Sequence, residues 1–317
     1  MKKIIIISVL LISALGAFAQ QNSVLNQYIF NPMTINPAYV GTKQWTHVNM
    51  SYSALWVGYK GAPSTQMLSI EGAPLQTMGL GLQLINDQIG AQSQQGLFGS
   101  YSYILKLNEK LKLSMGLAVG VSNFMIDGTK LNPETIDDDY IPTNRKNTFR
   151  FDPKFGLFLY SQRFYVGLSI TDMLGDLLHN PEKLNIAQAR HYYLTAGYVF
   201  DLGENVKLKP SFLLREDFKA QTNMDVTAHV LFKETFWIGA TYRFGMNILT
   251  TPGLDNSLKM RDAIVVMTEW NINKSWIVGY AYTQSLTSLS SWGGHEIILD
   301  YTLPAKLNTR MKSPRYF

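Results

Sequence analysis

The chain has 317 residues, 46% hydrophobic, 16% charged and 12% aromatic, with a formal net charge of +5 and no cysteine. The charged fraction lies well below the ~25% of an ordinary soluble domain, and 24 Gly with 17 Tyr, 16 Phe and 6 Trp point to many short, aromatic-rich strands. The apolar content excludes disorder, the missing cysteines exclude a disulfide scaffold, a thiolate metal site and a cysteine nucleophile, and the small scattered positive excess makes no case for nucleic acid.

The first element is a targeting segment, 1–19. Lys2 and Lys3 form a basic start, residues 4–15 an apolar stretch, and Ala17-Phe18-Ala19 a small-x-small cleavage site, so a signal peptide is expected to leave Gln20 as the new N-terminus. A buried core helix is the alternative. Beyond it no run of ~18 apolar residues exists, so the exported chain crosses no membrane as helices. A periplasmic, a secreted or an outer-membrane β-barrel protein remains.

Next comes a lead-in, 20–47. The pairs Asn31-Pro32 and Asn36-Pro37 make successive Asx-type turns in a chain otherwise held extended by proline.

From residue 48 to 301 the chain alternates. Leu113, Met115, Leu117, Val119 and Val121 are interleaved with Ser114, Gly116, Ala118, Gly120 and Ser122, a period of two that makes one apolar and one polar or small face. The same pattern recurs from Val48, Met50, Tyr52, Ala54 and Trp56, through Met78, Leu80, Leu82, Leu84, to Ile297, Leu299, Tyr301. Two strands, 65–72 and 262–270, are weaker, the second because neither face is cleanly polar. The count is about fourteen. Connections alternate between short turns (73–76, 106–110, 161–163, 202–205, 233–235, 271–274) and longer segments (87–94, 125–150, 172–189, 216–221, 247–258, 286–293), with a short first hairpin. That parity predicts an all-β, transmembrane, antiparallel up-and-down β-barrel of about fourteen strands, with long extracellular loops, short periplasmic turns and both termini inside. A soluble sandwich also alternates but does not sort its connections by parity.

Aromatics near strand ends, Trp56 with Tyr59, Tyr101 with Tyr103, Tyr198 with Phe200, Trp237 and Trp276, suit the interfacial girdles of a barrel or an ordinary core. Glycines 79, 81, 116, 120, 156, 167, 197, 239 and 279 fall on the inward parity, where they mark either tight curvature or a second backbone inside the lumen.

Several pieces carry a family likeness. The lead-in, with Asn31, Pro32, Asn36, Pro37, Ala38, Tyr39 and Gly41, is followed by Trp56-Val57-Gly58 and Gly61-Ala62-Pro63. Then come Gly79-Leu80-Gly81, the run from Asn86 through Asp87 to Gly90, Gly294-His295-Glu296 and the terminal Ser313-Pro314-Arg315-Tyr316-Phe317. Together they resemble the PorP/SprF family of type IX secretion system outer-membrane proteins over nearly the whole mature chain. One departure stands at Ser53 and Ala54, before Leu55-Trp56, where family members often carry arginine. The resemblance implies an outer-membrane barrel that accompanies a secreted surface protein, commonly a large adhesin engaged through its C-terminal region, in export or attachment.

No cofactor, metal or catalytic residue is expected. The five histidines form no metal pair at helical spacing. His295-Glu296 with Ser290 and Ser291 reads as a hydrolase dyad or, more plainly, as a rim pair that pins the closing strand. Asp137, Asp138 and Asp139 read as a Ca²⁺ cluster or as a solvated charge run. The partner-binding candidates lie on the longest loop: Leu131, Ile136, Asp137, Asp138, Asp139, Tyr140, Arg145 and Phe149, apolar residues rimmed by both charge signs. The tail 302–317, with Lys306, Arg310, Lys312 and Arg315, suits anionic outer-membrane lipid or a periplasmic component. A diffusion porin is the competing function. An open pore needs charge along its wall, whereas the inward set is expected to be mostly Gly, Ser, Ala and Thr.

Overall fold

The computed structural model describes residues 26–43, 45–131, 142–174, 189–218, 221–246 and 261–303. The strands, in chain order, are β1 (Thr46–Ala54), β2 (Ser64–Leu75), β3 (Met78–Ile89), β4 (Gln92–Lys106), β5 (Lys112–Asp127), β6 (Arg145–Tyr160), β7 (Phe164–Thr171), β8 (His191–Tyr198), β9 (Phe200–Asp201), β10 (Val206–Glu216), β11 (Thr222–Phe232), β12 (Phe236–Met246), β13 (Arg261–Asn271), β14 (Trp276–Ser285) and β15 (Gly293–Leu303). β9 continues β8 past Val199, and both pair with β10, so the wall has fourteen staves. Every neighbouring pair is antiparallel, and β1 pairs with β15 from Thr46↔Leu303 to Ala54↔His295, which closes the sheet into a barrel. Closure removes the open edges that hydrocarbon would leave unsatisfied.

The two faces of each strand meet opposite environments. Leu80, Leu82 and Leu84 on β3, and Leu117, Val119 and Val121 on β5, face outward and are exposed, while Gln83 and Ala118 between them, and Ser114 and Ser122 on the same inward parity, are buried inside. An apolar belt of this extent around a whole molecule matches lipid, not water. Aromatics gather at the short-turn end of that belt. Trp276 lies 4.4 Å from Tyr301 between ring centroids, and Tyr198 lies 4.5 Å from Phe200. Trp237 is not among them. Its neighbours Phe236 and Ile238 point outward, so it points inward, 6% exposed, beneath the Lys209 ammonium at 4.9 Å.

Three boundaries differ from the expectation. The supposed loop 87–94 is a strand extension: Ile89 pairs with Gln92, and only Gly90 (φ 57°) and Ala91 make the turn, with glycine at the first central position as a two-residue hairpin requires. The longest loop is shorter than 125–150, because β5 and β6 pair as far as Asp127↔Arg145. Trp56 lies beyond the end of β1 with φ 49°, in the turn that leads to β2.

Residues 26–43 occupy the barrel interior. Three short 3-10 turns, Asn26–Ile29, Pro32–Thr34 and Pro37–Tyr39, follow one another. Proline at the first position of the second and third turns supplies their fixed φ. The Asn36 side chain caps its turn by accepting from the Ala38 N–H at 2.9 Å. Asn31 makes no such cap and reaches the wall instead.

Candidate functional site

The plug is held by matched apolar and polar contacts. Met33, Ala38, Tyr39 and Val40 pack with Ile104, Phe158 and Tyr160, and the Tyr39 ring meets Phe158 edge-on at 5.5 Å. Tyr28 packs with Tyr193 and Leu213, and Ile29 and Phe30 cover Val265, Met267 and Ala281. Several buried polar groups of the plug bond to the wall. Ser102 Oγ donates to the Val40 carbonyl (2.6 Å), Ser169 Oγ to the Ile35 carbonyl (2.6 Å), and the Gly41 N–H donates to Glu71 Oε2 (3.0 Å). Asn36 Nδ2 donates to the carbonyls of Leu157 (3.0 Å) and Leu168 (3.3 Å), and Asn31 Nδ2 to Ser69 Oγ (2.6 Å).

Inward glycines make the fit. A Cβ on Gly79 would overlap the Val40 carbonyl, one on Gly116 the Ala38 backbone, and one on Gly156 the Asn36 side chain. Only glycine lets two backbones approach this closely. Gly81 faces the plug side chains of Met33 and Val40, and Gly167 those of Asn36 and, on the wall, Thr195; Gly120, Gly197 and Gly239 instead lie under the rings of Phe98, Tyr165 and His229, and Gly279 has ordinary room.

The lumen is more charged than the sequence pattern suggests. On the short-turn side of the plug, Asp300 takes His47 Nδ1 (3.3 Å) and Asn49 Nδ2 (3.4 Å). Burial acts against the Lys43 ammonium, but Tyr39, Asp300, Glu71 and Glu269 around it outweigh burial and hold its pKa above the ordinary lysine value. Burial pushes the phenols of Tyr28 and Tyr39 up, so both stay neutral at neutral pH. On the far side, the fully buried Asp225 binds Arg243 bidentately (2.8 and 2.9 Å) and Arg215 (2.8 Å), stitching β10, β11 and β12 together. Asn223 bonds Asp262 on β13. His191 Nδ1 lies 3.3 Å from Asp172, which Thr171 Oγ1 also reaches at 2.9 Å. A cavity of about 130 Å³ opens above the plug between Tyr28 and Ile35 below and Asp152, Lys154, Asp172, Arg215 and Glu216 on the wall.

Motif residues distant in sequence meet at the long-loop rim. Val57 donates its N–H to the Gly293 carbonyl (2.9 Å), and Gly58 (φ 96°) and the Tyr59 ring (5.1 Å) lie against Trp292. The Gly90 N–H donates to the Gly61 carbonyl (2.9 Å), the Leu55 N–H to the Pro63 carbonyl (3.0 Å), and Thr65 Oγ1 to Asp87 (2.6 Å). His295 and Glu296 take opposite faces. His295 is outside, bonded to the Tyr280 hydroxyl at 2.7 Å, while Glu296 is buried in the lumen, so they form no dyad.

A model of the type IX secretion system membrane protein family PorP/SprF matches residues 17–301. The chain belongs to the PorP/SprF family. No protein of curated function matches it in sequence. Among solved structures, this PorP/SprF chain is similar to the Pseudomonas putida toluene transporter TodX, with 8% identity over 88% of this chain and 95% of that one and a TM-score of 0.50. It is also similar to the CymD monoaromatic hydrocarbon channel (12% identity, 91% and 95% coverage, TM-score 0.49) and to a Pseudomonas aeruginosa FadL homologue (10%, 87% and 93%, 0.47). At these identities the likeness is one of fold. Family and fold are those of a bacterial outer-membrane barrel associated with secretion, not of a known enzyme class.

Of the partner-binding candidates, Ile136, Asp137, Asp138, Asp139 and Tyr140 lie outside the described residues. Leu131 is exposed just past the end of β5. Arg145 Nε pairs with Asp127 (3.0 Å) at the base of the hairpin, and Phe149, 68% exposed, sits on the outward face of β6. The inward charges on β6 and on β10 to β12 were missed by sequence reasoning, although the alternation places Arg150, Asp152, Lys154, Lys209, Arg215, Asp225 and Arg243 on the inward parity.

Proposed function

We propose that this PorP/SprF barrel assists the export or surface attachment, or both, of one specific secreted protein, a large adhesin, through the type IX secretion system. The observation that carries this reading is the plug. A lumen filled by the chain's own residues 28–43, bonded to the wall on both sides, does not suit a general diffusion pore, and leaves the external surface as the working part. In this reading 1–19 is a removed signal peptide and both termini are periplasmic. The basic tail then contacts anionic lipid or a periplasmic secretion component. The secreted protein docks, by its C-terminal region, on the loop between Asp127 and Arg145, with Leu131, 136–140 and the flanking Arg145 and Phe149 supplying contacts.

Trimming residues 128–144 to a tight turn tests this. The barrel assembles at normal level and the secreted protein is lost from the cell surface. Full retention of that protein moves the contact to 172–189 or 247–258. A solute-conducting reading draws on the charged luminal wall, and requires the plug to leave.

A further inference from the structure

Among the described residues the wall has one long unpaired strand edge. β6 pairs with β5 along its whole length, from Tyr160 opposite Lys112 to Arg145 opposite Asp127, but with β7 only from Tyr160 to Phe155. Residues 145–154 therefore stand above β7 with one side open. β7 stops because Asp172 takes φ 55° and gives its N–H to the Asp152 carboxylate instead of continuing the ladder.

Parity decides which groups face the opening. The Ser161 N–H donates to the Phe164 carbonyl (2.8 Å), so odd-numbered residues of β6 aim their backbone toward β7. The Gly128 N–H donates to the Asn144 carbonyl (3.2 Å), so even-numbered ones aim toward β5. The N–H and C=O groups of Arg145, Asn147, Phe149 and Phe151 thus point into the opening, where no ladder bond among the described residues takes them up. Pro153, just below them, has no N–H to offer, which suits a strand edge.

A second observation bears on the occupant. Phe149 is 68% exposed, yet the outward positions across from it, Asn123 and then Gln95, are polar, so it stands clear of the apolar belt. The other face of the same stretch carries Lys146, exposed, and Arg150, and neither stands in an ion pair among the described residues. A long open edge is a template for one more strand, with backbone bonds supplying affinity and the flanking side chains supplying preference.

We propose that the open edge of β6, from Arg145 to Phe151, receives an extended polypeptide segment as an added antiparallel strand in line with β7, its apolar side chains beside Phe149 and Phe151 and its acidic ones beside Lys146 and Arg150. That the segment belongs to the secreted partner rests on the function proposed above. The edge lies outside the trimmed residues 128–144, so this pairing can fail while that function stands.

Single-amide hydrogen exchange over residues 144–154, in the full-length barrel in detergent, tests this. In the free barrel the amides of Asn147, Phe149 and Phe151 exchange fast, and those of Thr148, Arg150 and Asp152, bonded to β5, slowly. The probe is acetyl-Ser-Val-Glu-Val-Glu-Val-Ser-amide. At about ten times a dissociation constant in the millimolar range, it slows the odd-numbered amides roughly tenfold and leaves the even-numbered ones unchanged. The same peptide N-methylated throughout has no effect, and its lysine-for-glutamate counterpart protects less. Asn147→Pro removes a donor from the open side and none from the β5 ladder, and cuts the protection of Phe149 and Phe151 from about tenfold to below about twofold. Heat-modifiability on a gel verifies that this variant has folded. Slow odd-numbered amides in the free barrel show an edge already covered and overturn the proposal, as does no protection by the peptide or equal protection by its N-methylated form. Equal protection by the lysine counterpart overturns the acidic preference. Protection that needs no peptide and grows with barrel concentration assigns the edge to a second copy and overturns the polypeptide partner.

Discussion

Gly116→Ala with Gly79→Ala is the sharpest perturbation of the plug. The new methyls coincide with the Ala38 backbone and with the Val40 carbonyl, and no side-chain rotation relieves an overlap with backbone. Overpacking of this kind costs about 1–3 kcal/mol per site. The two methyls push on plug residues only two apart, so their costs couple, and roughly 2–6 kcal/mol is the upper range for the pair. Since ~1.4 kcal/mol is a factor of ten in population, the displaced-plug fraction rises at least about tenfold. Neither substitution touches the lipid face, so the barrel still assembles. Single-channel recording in planar bilayers reads the result: long closed intervals for the native protein, frequent openings for the double variant. Gly279→Ala is the control, because its Cβ meets Ile298 at 3.5 Å and Phe30 at 3.7 Å, ordinary contacts. A folded double variant as silent as the native barrel, or a Gly279→Ala variant that opens as much, refutes the reasoning.

Asn36→Ala removes two bonds to wall carbonyls and the cap on Ala38, each with a net worth of about 0.5–1.5 kcal/mol, and is expected to speed limited proteolysis of residues 20–43 while the barrel resists. Asp225→Asn leaves two buried guanidinium groups without their anion at a cost of about 3–5 kcal/mol, and lowers the temperature at which the barrel loses its compact gel mobility. Asp225→Leu combined with Arg243→Met costs less. Lys43 has a folded-state pKa above the ordinary value near 10.4, so its contribution to plug closure is complete below about pH 10 and is lost only as pH climbs through the raised value. The Lys43 contribution to closure is therefore flat between about pH 6 and 9, and Lys43→Met opens the plug relative to the native protein across that whole range; a Lys43→Met effect that fades inside it contradicts the assignment.

The outward face was legible because lipid imposes one demand on it, and Leu80, Leu82, Leu117 and Val119 answer in strict alternation. The inward face meets no single solvent. Against the plug it is small at Gly79 and Gly116, apolar at Val265 and Met267 under Ile29 and Phe30, and charged at Asp225 and Arg243. That is why 262–270 lacked a polar face yet forms β13. Strand ends beyond the belt were hidden for a related reason. From Asn86 to Gln95 the residues on both faces are largely polar, so no period of two survives although the ladder continues to Ile89↔Gln92. The rim cluster was visible only as separate motif pieces. Nothing local in Gly61, Gly90, Val57 or Gly293 says that they touch: the Val57–Gly293 contact depends on the closure of β1 on β15, and the Gly61–Gly90 contact on the pairing of β2 with β1 and β3.

Deletion of the gene, with the surface proteome and small-solute uptake quantified in the same cells, tests the central claim most directly. The account predicts loss of one secreted surface protein, or a very small set, with uptake unchanged. A solute-uptake defect with an intact surface proteome would contradict it.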